Sequence, residues 1–242
     1  MADGGSWAGN AGPCAPLHGS RAVGRLARMS ADPDLLALWT RGWAATRGVA
    51  APVRDGAAWR IDVGLPDQFA RYIFADADPA VRDRAERIGR PWTFLKVCAH
   101  ETAVRSLLPP MWEMRPPGFM MTLAGEMGGD ATAPEGLRFE IEASGPVTFC
   151  RLLDHADVEA ARGRVVVIEG LTVFDRIATS ADRRRRGLAS RIMRRLERIA
   201  HEAGGRDGAL VATAEGRALY ERLGWVLHSN YSTAVIPGPG AG

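Results

Sequence analysis

Lysine is almost missing from this chain. Of 31 lysine and arginine residues, only Lys96 is a lysine. We read that as the codon bias of a GC-rich coding sequence, not as chemistry. Cysteine is scarce too. Cys14, Cys98 and Cys150 are odd in number and far apart, which excludes a disulfide framework and a cysteine zinc cluster. His100-Glu101 has no second histidine nearby, so no metal site is expected. No Cys–His–Asn/Asp arrangement surrounds Cys98, so a thiol nucleophile is not expected either. No apolar run reaches membrane-spanning length, and the N-terminus has no apolar core of the secretory kind. The formal net charge is only +3, which argues against a nucleic-acid coat. With 46% hydrophobic and 24% charged residues, the composition is that of an ordinary globular protein. A reducing, cytoplasmic compartment is the expectation.

The chain divides by texture. Residues 1–29 are Gly/Ala-rich without a period and read as a mobile tail, with Met29 a candidate natural start. Ser30-Ala-Asp-Pro33 predicts a helix start, with Ser30 as cap, and the helix ends before Gly48. Strands are expected at 59–63 and 69–74, a helix at 79–88, a strand at 91–98 and a short helix at 100–108. Two further strands, 111–114 and 119–123, are expected on either side of Pro116-Pro117-Gly118. Residues 124–136, rich in glycine, read as a linker. Strands then follow at 138–143, 147–153, 158–161 and 164–169, with Arg162-Gly163 as a hairpin turn. A strand at 172–179, a helix from Gly187 to His201, a strand at 209–213, a helix around Tyr220 and a strand at 231–236 complete the pattern. Residues 238–242 are a tail.

The stretch from Asp182 to Ser190 stands between the strand ending at Thr179 and an amphipathic helix. Leu188, Ile192, Met193, Leu196, Ile199 and Ala200 give that helix one apolar face. A basic, glycine-containing turn at a helix start offers free backbone N–H groups and the positive end of the helix dipole, a site suited to phosphate. A solvated basic surface turn and a nucleic-acid patch are the alternatives for the run Arg183 to Arg186.

Arg184-x-x-Gly187-x-Ala189 resembles the pyrophosphate-binding signature of the GNAT acetyltransferases. Gly216-Arg-Ala-Leu-Tyr220-Glu-Arg-Leu-Gly224-Trp225 resembles a second motif of that family, in the right order and at a workable separation. The resemblance covers roughly residues 145–236. It implies an α/β GNAT fold: a mixed, mostly antiparallel sheet flanked by helices, with a catalytic domain at 137–237. Residues 30–123 would form an accessory domain. Their mixture of strands and helices fits a degenerate GNAT-like copy in tandem, without an equivalent of the Arg184 turn.

The resemblance further implies an N-acetyltransferase that moves an acetyl group from acetyl-CoA to a primary amine by direct attack, without a metal. Arg184, Arg185, Arg186, Gly187, Leu188, Ala189 and Ser190 would hold the CoA phosphates. Ile177, Ala178 and Thr179 would splay from the next strand and bind pantetheine. Thr213 stands where many relatives carry Asn at that arm, and it can also cap the following helix. Tyr220 would protonate the departing thiolate; its ordinary pKa of ~10 keeps it protonated at neutral pH. Asp175 is the candidate base, with a salt bridge as the competing reading, Glu169 as reserve and water as a further option. Arg176 would point to the opposite face in a regular strand. His155 reads as part of a solvated turn. Trp92, Phe94, Trp112 and Phe119 are core candidates or walls of an acceptor pocket. A CoA-sensing protein without turnover is the second function consistent with these residues. The acceptor, the acyl length and the oligomeric state, a homodimer included, stay open.

Overall fold

The computed structural model describes residues 30–238. The expected tail at 1–29, with Cys14 and Met29, lies outside the described residues. The first half runs α1 (Pro33–Arg47), β1 (Val53–Asp55), β2 (Ala58–Leu65), β3 (Gln68–Phe74), α2 (Pro79–Arg87), β4 (Thr93–Val97), α3 (Glu101–Arg105) and β5 (Glu113–Leu123). The second runs β6 (Leu137–Ser144), β7 (Val147–Asp154), β8 (Glu159–Ile168), β9 (Leu171–Thr179), α4 (Leu188–Glu202), β10 (Asp207–Ala212), α5 (Ala214–Arg222) and β11 (Val226–Val235).

All eleven strands join one sheet, in the order β1-β2-β3-β4-β11-β5-β10-β9-β8-β7-β6. Only β3–β4 and β9–β10 pair in parallel. Each of those pairs is joined through a helix, α2 in the first half and α4 in the second. The repeated layout supports the tandem reading. The last strand of each half crosses over: β11 lies beside β4, and β5 lies beside β10. The halves therefore share backbone hydrogen bonds at the centre of the sheet. The outer strands carry charge (Arg54 and Asp55 on β1; Arg138, Glu140 and Glu142 on β6), which discourages edge-to-edge pairing.

Helices cover both faces of the second half. On one side Ile192, Met193 and Leu196 of α4 are fully buried with Leu152, Val165 and Leu210. Each such side chain contributes about 1.5–3 kcal/mol by burial. On the other side Leu36, Trp39 and Trp43 of α1 pack with Val166 and Val173. A Cβ on Gly42 would stand 2.5 Å from Val173 Cγ2, so only glycine lets α1 approach β9 this closely. Asp32, not Ser30, caps α1, accepting from the N–H groups of Asp34 and Leu35. Gly48 ends the helix with φ +64°.

Several strand assignments differ from expectation: β1 has no counterpart among the expected strands, β11 begins at Val226 and not at residue 231, and two expected breaks are absent. Pro116-Pro117-Gly118 does not divide two strands but lies inside β5. Gly118 pairs with Tyr231, and register shifts in β11 absorb the irregularity. Arg162-Gly163 is no hairpin turn; it lies inside β8. A Cβ on Gly163 would meet Ile177 Cδ1 at 2.5 Å, Ile192 Cγ2 at 2.8 Å and Leu196 Cδ1 at 2.9 Å. The glycine serves close helix–sheet packing, not a turn. The 124–136 segment is irregular and pinned along α4. Glu197 accepts from the Met127 N–H at 2.8 Å, Arg194 donates to the Gly128 carbonyl at 2.5 Å, and Asp130 pairs with Arg191.

Candidate active site

After β9 the chain makes a short turn at Ala181–Arg183 and enters α4 through alternating backbone hands. Arg184 is extended, Arg185 is left-handed at φ 62°, and Gly187 has φ 75°. Such alternation gathers successive N–H groups around one concavity. Asp32, Asp78 and Thr213 cap α1, α2 and α5 with side-chain oxygens, whereas α4 has no side-chain cap and no acid in its first turn. Its first N–H groups and the positive dipole end face outward, the arrangement that binds phosphate.

The arginine run divides its labour. Arg183 donates to Asp154 Oδ2 at 2.5 Å and fastens the turn to the end of β7. Asp154 also accepts from the N–H groups of Val158 and Ala156. The Arg183 guanidinium, with those N–H groups, holds its carboxyl down at about 2. Arg186 is exposed and reaches back to the Asp182 carbonyl at 3.4 Å. Arg184 and Arg185 line a cavity.

That cavity opens because β9 and β10 part. They pair only from Leu171 with Asp207 to Val173 with Ala209. Beyond this point β10 continues along β5 alone. β9 bulges: Arg162 opposes Ala178 and Arg164 opposes Asp175, so Arg176 and Ile177 together face Gly163. Arg176 takes φ 52°, which breaks the expected strict alternation of faces. The gap leads into a cavity of about 660 Å³. Ile177, Ala178, Thr179, Arg184, Arg185, Gly187, Leu188, Ala189, Ser190, Thr213 and Tyr220 all line it. Of the expected cofactor-binding residues, Arg186 alone is not brought to it. Glu215, Gly216, Leu219 and Arg222 join it from α5.

Thr213 caps α5, accepting from the Gly216 N–H at 3.1 Å. Tyr220 is 8% exposed and packs beside Trp225, ring centroids 6.0 Å apart. Burial, then the negative charge of Asp175, push its phenol above the ordinary tyrosine range and keep it protonated.

Asp175 lies outside this cavity. It lines a second, smaller one of about 200 Å³. Thr213 lines both, so the two meet there. Asp175 is paired: Arg47 donates to Oδ2 at 2.6 Å and to Oδ1 at 2.8 Å, and the Thr46 hydroxyl stands 3.2 Å from Oδ2. Glu169 sits in the β8–β9 turn, paired with Arg41 at 2.6 Å. Four steps of strand, from Leu171 to Asp175, already put it more than about 13 Å from Asp175, at the far end of β9 and outside both cavities. His155 is exposed, in the turn after Asp154.

The second cavity contains residues the sequence reading missed. Trp39, Trp43 and Arg47 come from α1, Arg71 from β3, Lys96 from β4, and Tyr231 and Thr233 from β11. Its aromatic lining is thus Trp39, Trp43, Phe174 and Tyr231. Of the aromatics expected there, Trp112 is fully buried in the first-half core, and Phe119 packs against the second-half core. Lys96, set aside above as a product of codon bias, donates to Thr233 Oγ1 at 2.9 Å inside this pocket. Its solitude among so many arginines was the available signal. Cys98 and Cys150 are buried, which pushes both thiols up to about 12 and leaves them inert. Among the described residues no cluster of three or more His, Cys, Asp or Glu side chains could hold a metal, and no helix is long and apolar enough to cross a membrane.

The first half repeats this geometry without the opening. β3 and β4 stay paired over five residues, Ala70 with Thr93 through Phe74 with Val97. The start of α2 is occupied by its own Asp78.

A mostly antiparallel sheet thus parts beside a helix that begins in a basic turn. Residues 139–227 match the family model of the acetyltransferase (GNAT) domain. Its fold is similar to that of a GCN5-related N-acetyltransferase from Kribbella flavida (TM-score 0.62, 14% identity, 86% of this chain and 96% of that one). It is also similar to a putative acetyltransferase of the GNAT family from Novosphingobium aromaticivorans (TM-score 0.53, 19% identity, 82% and 95%). A third similar structure is a GCN5-related N-acetyltransferase from Sphaerobacter thermophilus (TM-score 0.52, 14% identity, 75% and 78%). No curated protein matches the sequence.

Proposed function

We propose that the protein is an N-acetyltransferase that moves the acetyl group of acetyl-CoA to a primary amine. The observation that carries this reading is the parting of β9 from β10 above the uncapped start of α4, with Tyr220 on the wall of the same cavity. The residues present suit the cofactor. Arg184, Arg185 and the N–H groups from Gly187 to Ser190 supply the positive lining that a pyrophosphate requires. The unpaired edge of β9 from Ile177 to Thr179 offers backbone groups to the pantetheine amides, in the manner of an added strand.

The bulge at Arg176 re-aims the N–H groups that would polarise the thioester carbonyl. The amine nitrogen attacks that carbon, the C–N bond forms and the C–S bond breaks. Tyr220 gives its proton to the leaving sulfur. Water carries the amine's proton away, and a proton from solvent restores the phenol. Asp175, with both oxygens engaged, is a positioning residue that fixes Arg47 at the acceptor side.

Calorimetry with acetyl-CoA tests the cofactor, and thiol release across a panel of amines tests turnover. Tight binding weakened in Arg184→Ala, together with acetyl transfer, is expected. Binding without transfer to any amine would favour the CoA-sensing alternative. No binding by the folded protein would overturn the proposal.

A further inference from the structure

The second cavity is built as an anion pocket, and this bears on the acceptor. Its charged lining is Arg47, Arg71, Lys96 and Asp175. Arg47 and Asp175 neutralise each other in their bidentate pair. Arg71 and Lys96 remain, and among the described residues neither forms an ion pair. The Arg71 guanidinium stacks 3.9 Å from the Trp43 ring centroid, and its Nε is buried without a hydrogen-bond partner. Tyr231 is 3% exposed, and its hydroxyl is likewise buried without a partner. Lys96 Nζ lies 5.9 Å from the Tyr231 ring centroid. Buried donors left unpaired are costly, and native proteins keep few of them. Here two such donors and a second cation line one small cavity.

We propose that this pocket binds the carboxylate of a small, amino-acid-like acceptor, with Arg71 as counter-charge and Tyr231 as a hydroxyl donor. The inference rests on the acyltransferase reading above. The planar guanidinium fork suits a carboxylate, and the Trp39 and Trp43 rings suit a short apolar stem. A volume of about 200 Å³ admits a small molecule. Thr213 at the junction of the two cavities places an amine next to a carboxylate held here within reach of the acyl site. Burial lowers Arg71 to about 10, and lowers Lys96 with further help from Arg71 and Arg47. Burial is the main cause of both shifts; the Arg47 charge adds to each, and Asp175 only partly opposes it at Arg71.

The test is calorimetry of N-acetyl amino acids and of the matching N-acetyl amino acid methylamides, with CoA present. The acids are expected to bind at least tenfold more tightly than the amides. Arg71→Met should erase that preference, and Arg71→Lys should keep part of it. Tyr231→Phe, which keeps the ring, should weaken the acids alone. Acetyl-CoA affinity should be the same in all three variants. Amides binding as well as acids, or neither binding while acetyl-CoA binds, would overturn the inference and leave the acyltransferase reading standing. Failure of acetyl-CoA itself to bind would remove both.

Discussion

Arg47 on α1 and Asp175 on β9 are 128 residues apart in sequence, yet they form a bidentate pair with N–O distances of 2.6 and 2.8 Å. The pair is mostly shielded, with side-chain exposures of 25% and 12%. It joins α1 to the strand that bulges beside the larger cavity. Breaking one partner leaves the other charge poorly solvated. Asp175→Asn should therefore cost about 2 kcal/mol of stability, discounted from the fully buried case for the remaining exposure. Urea denaturation measures it. As a positioning residue, Asp175 should affect KM for the amine more than kcat. A fall in kcat equal to that of a Tyr220 variant would show instead that it takes the proton.

Tyr220→Phe removes the proposed acid and little volume. The expected result is a kcat about 100-fold lower with acetyl-CoA affinity unchanged. Burial and the Asp175 charge raise the phenol, so its neutral, proton-bearing form persists beyond the ordinary tyrosine range. The pH–rate profile of the wild type should then show no alkaline loss near pH 10 attributable to this group. A descending limb there, absent in the Phe variant, would tie the rate to this phenol but show that it titrates in the ordinary range; a kcat unchanged in Tyr220→Phe would overturn its role as acid.

Arg183 and Asp154 give the basic turn its own acid sensitivity. The folded carboxyl is held at about 2, below the unfolded value of about 3.9. A lowered folded pKa means the unfolded chain binds the proton more readily. The contribution is present above about pH 4 and is lost as pH falls towards 2. In Asp154→Asn the stability curve between those values should flatten. Denaturation midpoints at several pH values check this.

Gly163 shows where local sequence rules misled and why. Arg162-Gly163 carries the composition of a tight turn, yet the glycine answers to Ile192 and Leu196 of α4, which lie in another part of the sequence. Gly163→Ala should cost about 1–3 kcal/mol through overpacking. Because Ile177 Cδ1 is the nearest atom, acetyl-CoA affinity should fall as well. Thermal melts and calorimetry measure the two effects. The anion turn and α4 were legible because their signals are local: Arg184, Gly187 and Ala189 sit within six residues, and the apolar face repeats at helical spacing. The acceptor pocket was not. Arg47, Arg71, Lys96 and Tyr231 come from four elements, brought together only by the crossing of β5 and β11. Asp175 stood out as a charged residue within a strand, but its partner on α1 could not be read from spacing.

The two halves should differ in cofactor binding although they repeat one layout. A CoA site of this kind needs an opened strand edge and unoccupied N–H groups at the following helix. In the second half β9 leaves β10 after Val173, and α4 begins without a side-chain cap. In the first half β3 stays hydrogen-bonded to β4 through Phe74 and Val97, and Asp78 already accepts from the Ala80 N–H. Admitting pantetheine there would require breaking paired strands, and a phosphate would meet Asp76 and Asp78 before any arginine. Calorimetry should therefore return one acetyl-CoA per chain. Arg184→Ala should lower that single affinity by roughly 10- to 100-fold, the equivalent of one charge-assisted hydrogen bond. A stoichiometry of two, or binding unchanged in the variant, would mean that the first half opens after all.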